Sequence, residues 1–213
     1  DALSKFCRNQ VATSLIDLKS NVKQNKKYIP DVYVDRQSLD RSYKEWLQTD
    51  LPIFAVVAPA GYGKTNFMCA TAEESTSTNF VLFYAASRFT SGLLAEIRDD
   101  FIWEFHRDRE TAQIFERLQA IAKQAGRHLL IFVDGIDENP SRIKTIKNEL
   151  LGLAGRMQQY PNIKLVLSCK SFEWPQVVTD NAQSYNLLAE IITPAISHLD
   201  KRLITTNAEK VGF

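Results

Sequence analysis

The chain of 213 residues carries 26 basic and 25 acidic side chains, a formal net charge of +1, and 45% hydrophobic residues. That balance gives no global attraction to nucleic acid or to an anionic membrane, and the apolar fraction is enough for one compact domain with a sizeable core. Cys7, Cys69 and Cys169 are odd in number and lack metal or redox spacing, no apolar run reaches membrane-spanning length and no signal-peptide pattern opens the chain, so reduced thiols and a cytoplasmic setting are expected.

In residues 1–27 the apolar positions Val11, Leu15, Ile16 and Leu18 suggest an amphipathic helix ending before Pro30. This segment reads as a helical lead-in or the tail of a preceding domain, with residues 28–213 as the main domain. The chain starts at Asp1 rather than methionine and is expected to be a piece of something longer. Lys23, Lys26 and Lys27 read as a solvated helix face. Leu39, Tyr43, Trp46 and Leu47 then fall at helical spacing before the stop Asp50-Leu51-Pro52.

Residues 52–57 form an apolar run that leads into Ala58-Pro59-Ala60-Gly61-Tyr62-Gly63-Lys64-Thr65, with a helix expected from Asn66. This is the pattern of a phosphate-binding loop. Gly61 and Gly63 let the backbone turn tightly, so N–H groups from Ala60 to Asn66, Tyr62 included, can face phosphate oxygens at the positive end of a helix dipole. Lys64 supplies a cation for the β- and γ-phosphates and Thr65 a hydroxyl for Mg²⁺. Ala58 stands where the usual pattern has glycine, and is small enough to keep the close packing.

Residues 79–84 are β-prone, and residues 93–105 and 112–125 read as helices. After Gly126 the run His128 to Val133 is too short and β-branched for a helix and ends in Asp134-Gly135-Ile136-Asp137-Glu138. Acids at the carboxyl end of a buried parallel strand lie in the crevice where open α/β sheets bind ligands, which assigns Asp134 to the metal. Glu138-Asn139-Pro140-Ser141 also looks like a helix start, so Glu138 has two readings. Residues 163–167 form a further strand candidate ending in Ser168-Cys169-Lys170. With right-handed crossovers the strand ends share one side of the sheet, and Lys64, Asp134 and Lys170 converge. An α/β three-layer sandwich with a mainly parallel sheet in the order 5-1-4-3-2 is expected, its fifth strand near residues 185–192.

Leu130 to Glu138, reading LIFVDGIDE, resembles the second motif of the STAND class of P-loop ATPases, in its NACHT-type branch. Gly61 to Thr65 is similar to the first motif of that class. Leu167-Ser168-Cys169-Lys170 resembles the third, which usually ends in arginine; lysine keeps the charge and loses the bidentate fork. Residues 28–36 look like the lead-in that passes the adenine and ribose, which implies a cofactor contact at Arg36. The resemblance implies ATP or ADP with Mg²⁺ as cofactors, slow hydrolysis with Asp137 or Glu138 positioning the water, and γ-phosphate sensing at Lys170. It further implies self-association of a full-length signalling or defence switch in response to an unidentified activating ligand. Two rivals remain open: an AAA+-type mechanical ATPase, and a nucleotide-binding module without turnover.

Other residues draw plainer readings. His106, His128 and His198 lack partners at ligand spacing. Phe101, Trp103 and Phe105 suit core packing, Trp174 either neighbours the nucleotide or anchors its loop, and Arg88 reads as a surface residue.

Overall fold

The computed structural model describes residues 2–19, 27–102, 110–178 and 191–192. Seven α-helices and five strands are found among them: α1 Ala2–Leu15, α2 Gln37–Leu47, β1 Ile53–Ala58, α3 Lys64–Ser75, β2 Phe80–Ala85, α4 Leu93–Asp100, α5 Thr111–Gln124, β3 Leu129–Asp134, α6 Ile143–Met157, β4 Ile163–Lys170, α7 Trp174–Val178 and β5 Ile191–Ile192. All strand pairs are parallel, in the order β2-β3-β4-β1-β5, which read from the other edge is the expected 5-1-4-3-2. Of the expected fifth strand, residues 185–190 lie outside the described residues. So do Trp103, Phe105, His106, His198, Lys23 and Lys26.

Alternation along the strands divides the core into two layers, because successive side chains point to opposite faces of a sheet. Leu82, Ile131 and Leu165 face a layer closed by α4, α5 and α6, in which Ile97, Leu118 and Leu150 are buried. Phe83, Phe132, Val166 and Phe54 face the other, where α2 and α3 contribute Tyr43, Trp46 and Phe67. Each fully buried side chain of this size contributes about 1.5–3 kcal/mol. The same alternation puts Lys164 into the interior, where its amine meets the carbonyls of Thr49 at 2.6 Å and Leu51 at 3.0 Å and lies over the Trp46 ring. It thereby caps the chain leaving α2.

α1 lies along the β2 edge of the sheet, with Cys7 in one core layer and Val11 and Leu15 in the other. Gln10 closes that edge: its amide oxygen accepts from the Phe83 N–H at 2.9 Å and its amide nitrogen donates to the Phe83 carbonyl at 3.0 Å. These are backbone groups that an edge strand otherwise exposes. The helix stops at Leu15, well short of Pro30, because turn bonds from Ile16 and Leu18 follow and Lys19 pairs with Tyr28 in a parallel bridge. Ile16 is exposed, whereas Leu18 and Tyr28 are buried. Phe101 packs in the core as expected, and Trp174 packs partly buried against the same layer, which favours the anchoring reading. Arg88 pairs with Asp17 on the surface. Among the described residues no helix is long and apolar enough to cross a membrane.

Candidate functional site

Register fixes where the chemistry sits. Ala58 pairs with Lys170 across β1 and β4, and Val133 with Leu167 across β3 and β4, so three carboxyl strand ends open on one side. Between β1 and α3 the chain makes the phosphate loop, with Gly63 at φ +74°. A β-carbon there would stand 2.9 Å from Nη2 of Arg36, the mobile end of a side chain that can shift, so it is the left-handed backbone that calls for glycine. Lys64 opens α3 and folds back over the loop, its amine donating to the carbonyls of Ala58 at 2.8 Å and Pro59 at 3.0 Å. Burial lowers its pKa, and Asp137 and Asp134 act in the opposite direction.

Asp134 ends β3 and is buried beneath the loop. Its Oδ1 accepts from the Ser168 hydroxyl at 2.6 Å, Thr65 also hydrogen-bonds to the carboxyl, and the Ser168 hydroxyl accepts from the Gly135 N–H at 2.7 Å. Burial pushes the Asp134 pKa up, against the pull of the Ser168 and Thr65 hydrogen bonds. Gly135 follows at φ +66°, and a β-carbon there would come within 2.9 Å of the Glu138 side chain. This left-handed step turns the chain so that both Asp137 and Glu138 border the cavity.

Asp137 is held twice by Lys170, whose backbone N–H reaches Oδ1 at 2.9 Å and whose amine lies 2.8 Å from Oδ2. Burial raises this carboxyl, but the Lys170 contacts together outweigh it and hold the pKa below the usual carboxylate range. Lys170 is correspondingly raised, first by its hydrogen bond to Asp137. Glu138 pairs with Lys27 at 2.8 Å. It takes no part in the first turn of the next helix, which starts only at Ile143, so the helix-start reading of Glu138 does not hold.

A cavity of about 250 Å³ is bordered by Ala60, Gly61, Gly63, Lys64, Thr65 and Asn66 on the loop side, and by Gly135, Asp137, Glu138, Ser168 and Lys170 opposite, with Lys27 at its rim. The structure thus brings together most of the residues expected from sequence. Asp134 lies just beneath through Ser168 and Thr65. Arg36 and Tyr62 are not among the bordering residues. Arg36 instead donates to the Tyr62 carbonyl, which fixes the loop backbone from behind. Lys27 corrects the helix part of its reading: it is exposed but belongs to no helix, and next to the Lys19–Tyr28 bridge it stands at the cavity rim. By sequence Ser168 is only part of a motif; the β3–β4 register is what sets its hydroxyl against Asp134. Among the described residues no group of three or more His, Cys, Asp or Glu side chains could by itself hold a metal.

No protein-family model and no curated protein sequence matches the chain. Solved structures do. The ORC2 protein of Aeropyrum pernix, solved as ADPNP–ADP complexes, aligns over 88% of this chain and 55% of its own, with a TM-score of 0.64 and 14% identity. The Walker-type ATPase PABY2304 of Pyrococcus abyssi aligns over 84% of this chain and 57% of its own, with a TM-score of 0.58 and 14% identity. Cdc6p of Pyrobaculum aerophilum gives a TM-score of 0.54 at 14% identity, over 84% of this chain and 52% of its own. The fold is that of a P-loop ATPase. The chain spans little more than half the length of these structures.

Proposed function

We propose that the chain is the Mg-ATP-binding, slowly hydrolysing switch domain of a larger STAND-type signalling or defence protein. The observation that carries this reading is the meeting of Lys64, Thr65, Asp137, Glu138 and Lys170 around one cavity, with Asp134 beneath it on the Ser168 hydroxyl. In this reading the loop N–H groups and Lys64 bind the phosphates, the lysine leaving the Ala58 and Pro59 carbonyls to do so. Thr65 and Asp134 would hold Mg²⁺, which suits a cation that keeps several waters and takes one or two carboxylates together with phosphate oxygens. When bound, the metal supplies neutralisation of the phosphate charge. Asp137 or Glu138 orients the attacking water, and phosphoryl transfer depends chiefly on such positioning. Slow turnover follows from the ion pairs: both acids are engaged by lysines, and freeing either carboxylate requires that a lysine find another anion. Lys170 is the residue assigned to sense the γ-phosphate, since the phosphate competes with Asp137 for its amine.

Self-association, a cytoplasmic setting and an activating ligand remain parts of this proposal, drawn from the motif resemblance. A second reading, an AAA+-type ATPase, is favoured by the solved structures. A Drosophila ORC assembly bound to AT-rich DNA and Cdc6 aligns over 76% of this chain with a TM-score of 0.52 at 14% identity.

Ligand at about 100 times its dissociation constant stabilises a fold by roughly 2.7 kcal/mol, or about 5–10 °C in melting temperature for a domain of this size. Mg-ATP and Mg-ADP are expected to give that rise in the wild type and almost none in Lys64→Ala. An equal rise in the variant would remove Lys64 from the site. Nucleotide-dependent assembly of the full-length protein that Lys170→Ala abolishes supports the switch; DNA-dependent turnover supports the AAA+ reading.

A further inference from the structure

Three lysines meet the cavity, and each is already engaged with protein oxygens: Lys64 with loop carbonyls, Lys170 with Asp137, and Lys27 with Glu138. A polyanion entering the cavity has to draw its counter-charges out of these contacts. They differ in how readily they yield. Asp137 is almost fully buried, its side chain 2% exposed, and Lys170 holds it with both backbone and amine. The Lys27–Glu138 pair is open, its side chains 52% and 29% exposed, and exposed ion pairs are the weak ones. The backbone beside Lys27 is nevertheless fixed. Tyr28 is buried, its N–H donates to the Leu18 carbonyl at 2.9 Å and its hydroxyl to Glu73 at 3.1 Å. A flexible four-carbon stem thus swings from a firm anchor at the cavity rim.

We propose that Lys27 is a third phosphate-contacting cation, one that leaves Glu138 for the terminal phosphate of a bound nucleoside triphosphate and so frees Glu138 to orient water. This rests on the proposed function, in which Glu138 or Asp137 works at the γ-phosphorus; a cation 2.8 Å from Glu138 is then beside that phosphate rather than the α or β. A nucleoside diphosphate offers no such partner, so Lys27 stays on Glu138. The exchange couples arrival of the third phosphate to release of a carboxylate held until then, and makes Lys27 a determinant of triphosphate over diphosphate preference.

The test is a titration of the full-length protein, wild type and variants, with fluorescent Mg-ADP and a non-hydrolysable Mg-ATP analogue. Lys27→Ala is expected to bind the triphosphate analogue about tenfold more weakly and the diphosphate within about twofold of wild type, as befits loss of one charge-assisted contact. Lys27→Arg should restore the preference. Glu138→Gln breaks the same ion pair while leaving the amine in place, so it should retain the preference; a merely structural pair would make it behave like Lys27→Ala. Equal discrimination by wild type and Lys27→Ala, with Lys64→Ala defective for both nucleotides, overturns the role of Lys27 and leaves the site standing. Wild-type protein that binds neither nucleotide overturns the reading of the site, and the proposal with it.

Discussion

Ser168 is the residue that holds Asp134, the acid proposed for Mg²⁺, and its removal gives a two-sided prediction. Its hydroxyl, fully buried, donates to Asp134 and accepts from the Gly135 N–H. Ser168→Ala leaves a carboxylate oxygen and a backbone N–H each short of a partner. A hydrogen bond to a charged group is worth about 1.5–3 kcal/mol and a neutral one about 0.5–1.5, so the loss is about 2–4.5 kcal/mol, or roughly 4–18 °C in melting temperature. The pH dependence separates this from a simple cavity. Burial already holds the Asp134 pKa above its usual value and the Ser168 bond opposes the rise, so the variant raises it further. A carboxyl raised in the folded state favours folding below its unfolded pKa, and that contribution is lost as pH rises through the folded value. The stability deficit of Ser168→Ala therefore narrows as pH is lowered from neutrality. Its deficit in Mg-nucleotide affinity widens over the same range, because the metal needs the ionised acid. Thermal melts from about pH 5 to pH 8 with and without Mg-ADP read both quantities. A deficit in stability and affinity that stays constant across that range would refute the argument.

Asp137→Asn and Glu138→Gln are expected to keep nucleotide binding, and the one that orients the water should slow turnover by about 10²-fold, some 2.7 kcal/mol of barrier; wild-type rates in both would remove this pair from the chemistry. Asp137→Asn also loses the Lys170 pair, and because that carboxyl is depressed, the stability difference from wild type is present at neutral pH and disappears as the pH falls below about 4. Acid titration of the two melting curves checks this. Arg36→Ala should lower affinity for ATP and for inorganic triphosphate by the same factor, about three- to tenfold, through a loosened loop. A loss confined to ATP in competition binding would return Arg36 to the adenine or ribose.

Periodicity and motif spacing were sufficient for the class of fold. The apolar runs at β1 to β3 read directly as buried parallel strands, because both faces of such a strand are covered, and in β4 the run is broken early only by Lys164, whose amine is taken up by the Thr49 and Leu51 carbonyls. Where Lys64, Thr65, Asp134 and Lys170 fall along the chain already implied a shared crevice, since right-handed crossovers leave little choice about which end the loops occupy. Neither Ser168 under Asp134, nor Arg36 behind the Tyr62 carbonyl, nor Lys27 against Glu138 could be read that way. Each is a contact between segments apart in sequence rather than a local pattern; strand register sets the first, and the last lies beside the Lys19–Tyr28 bridge. Lys27 shows the difference most plainly: by sequence it is one of a cluster of basic residues, and only the packing of Tyr28 beside α3 decides that its half-exposed side chain stands at the cavity rim beside Glu138.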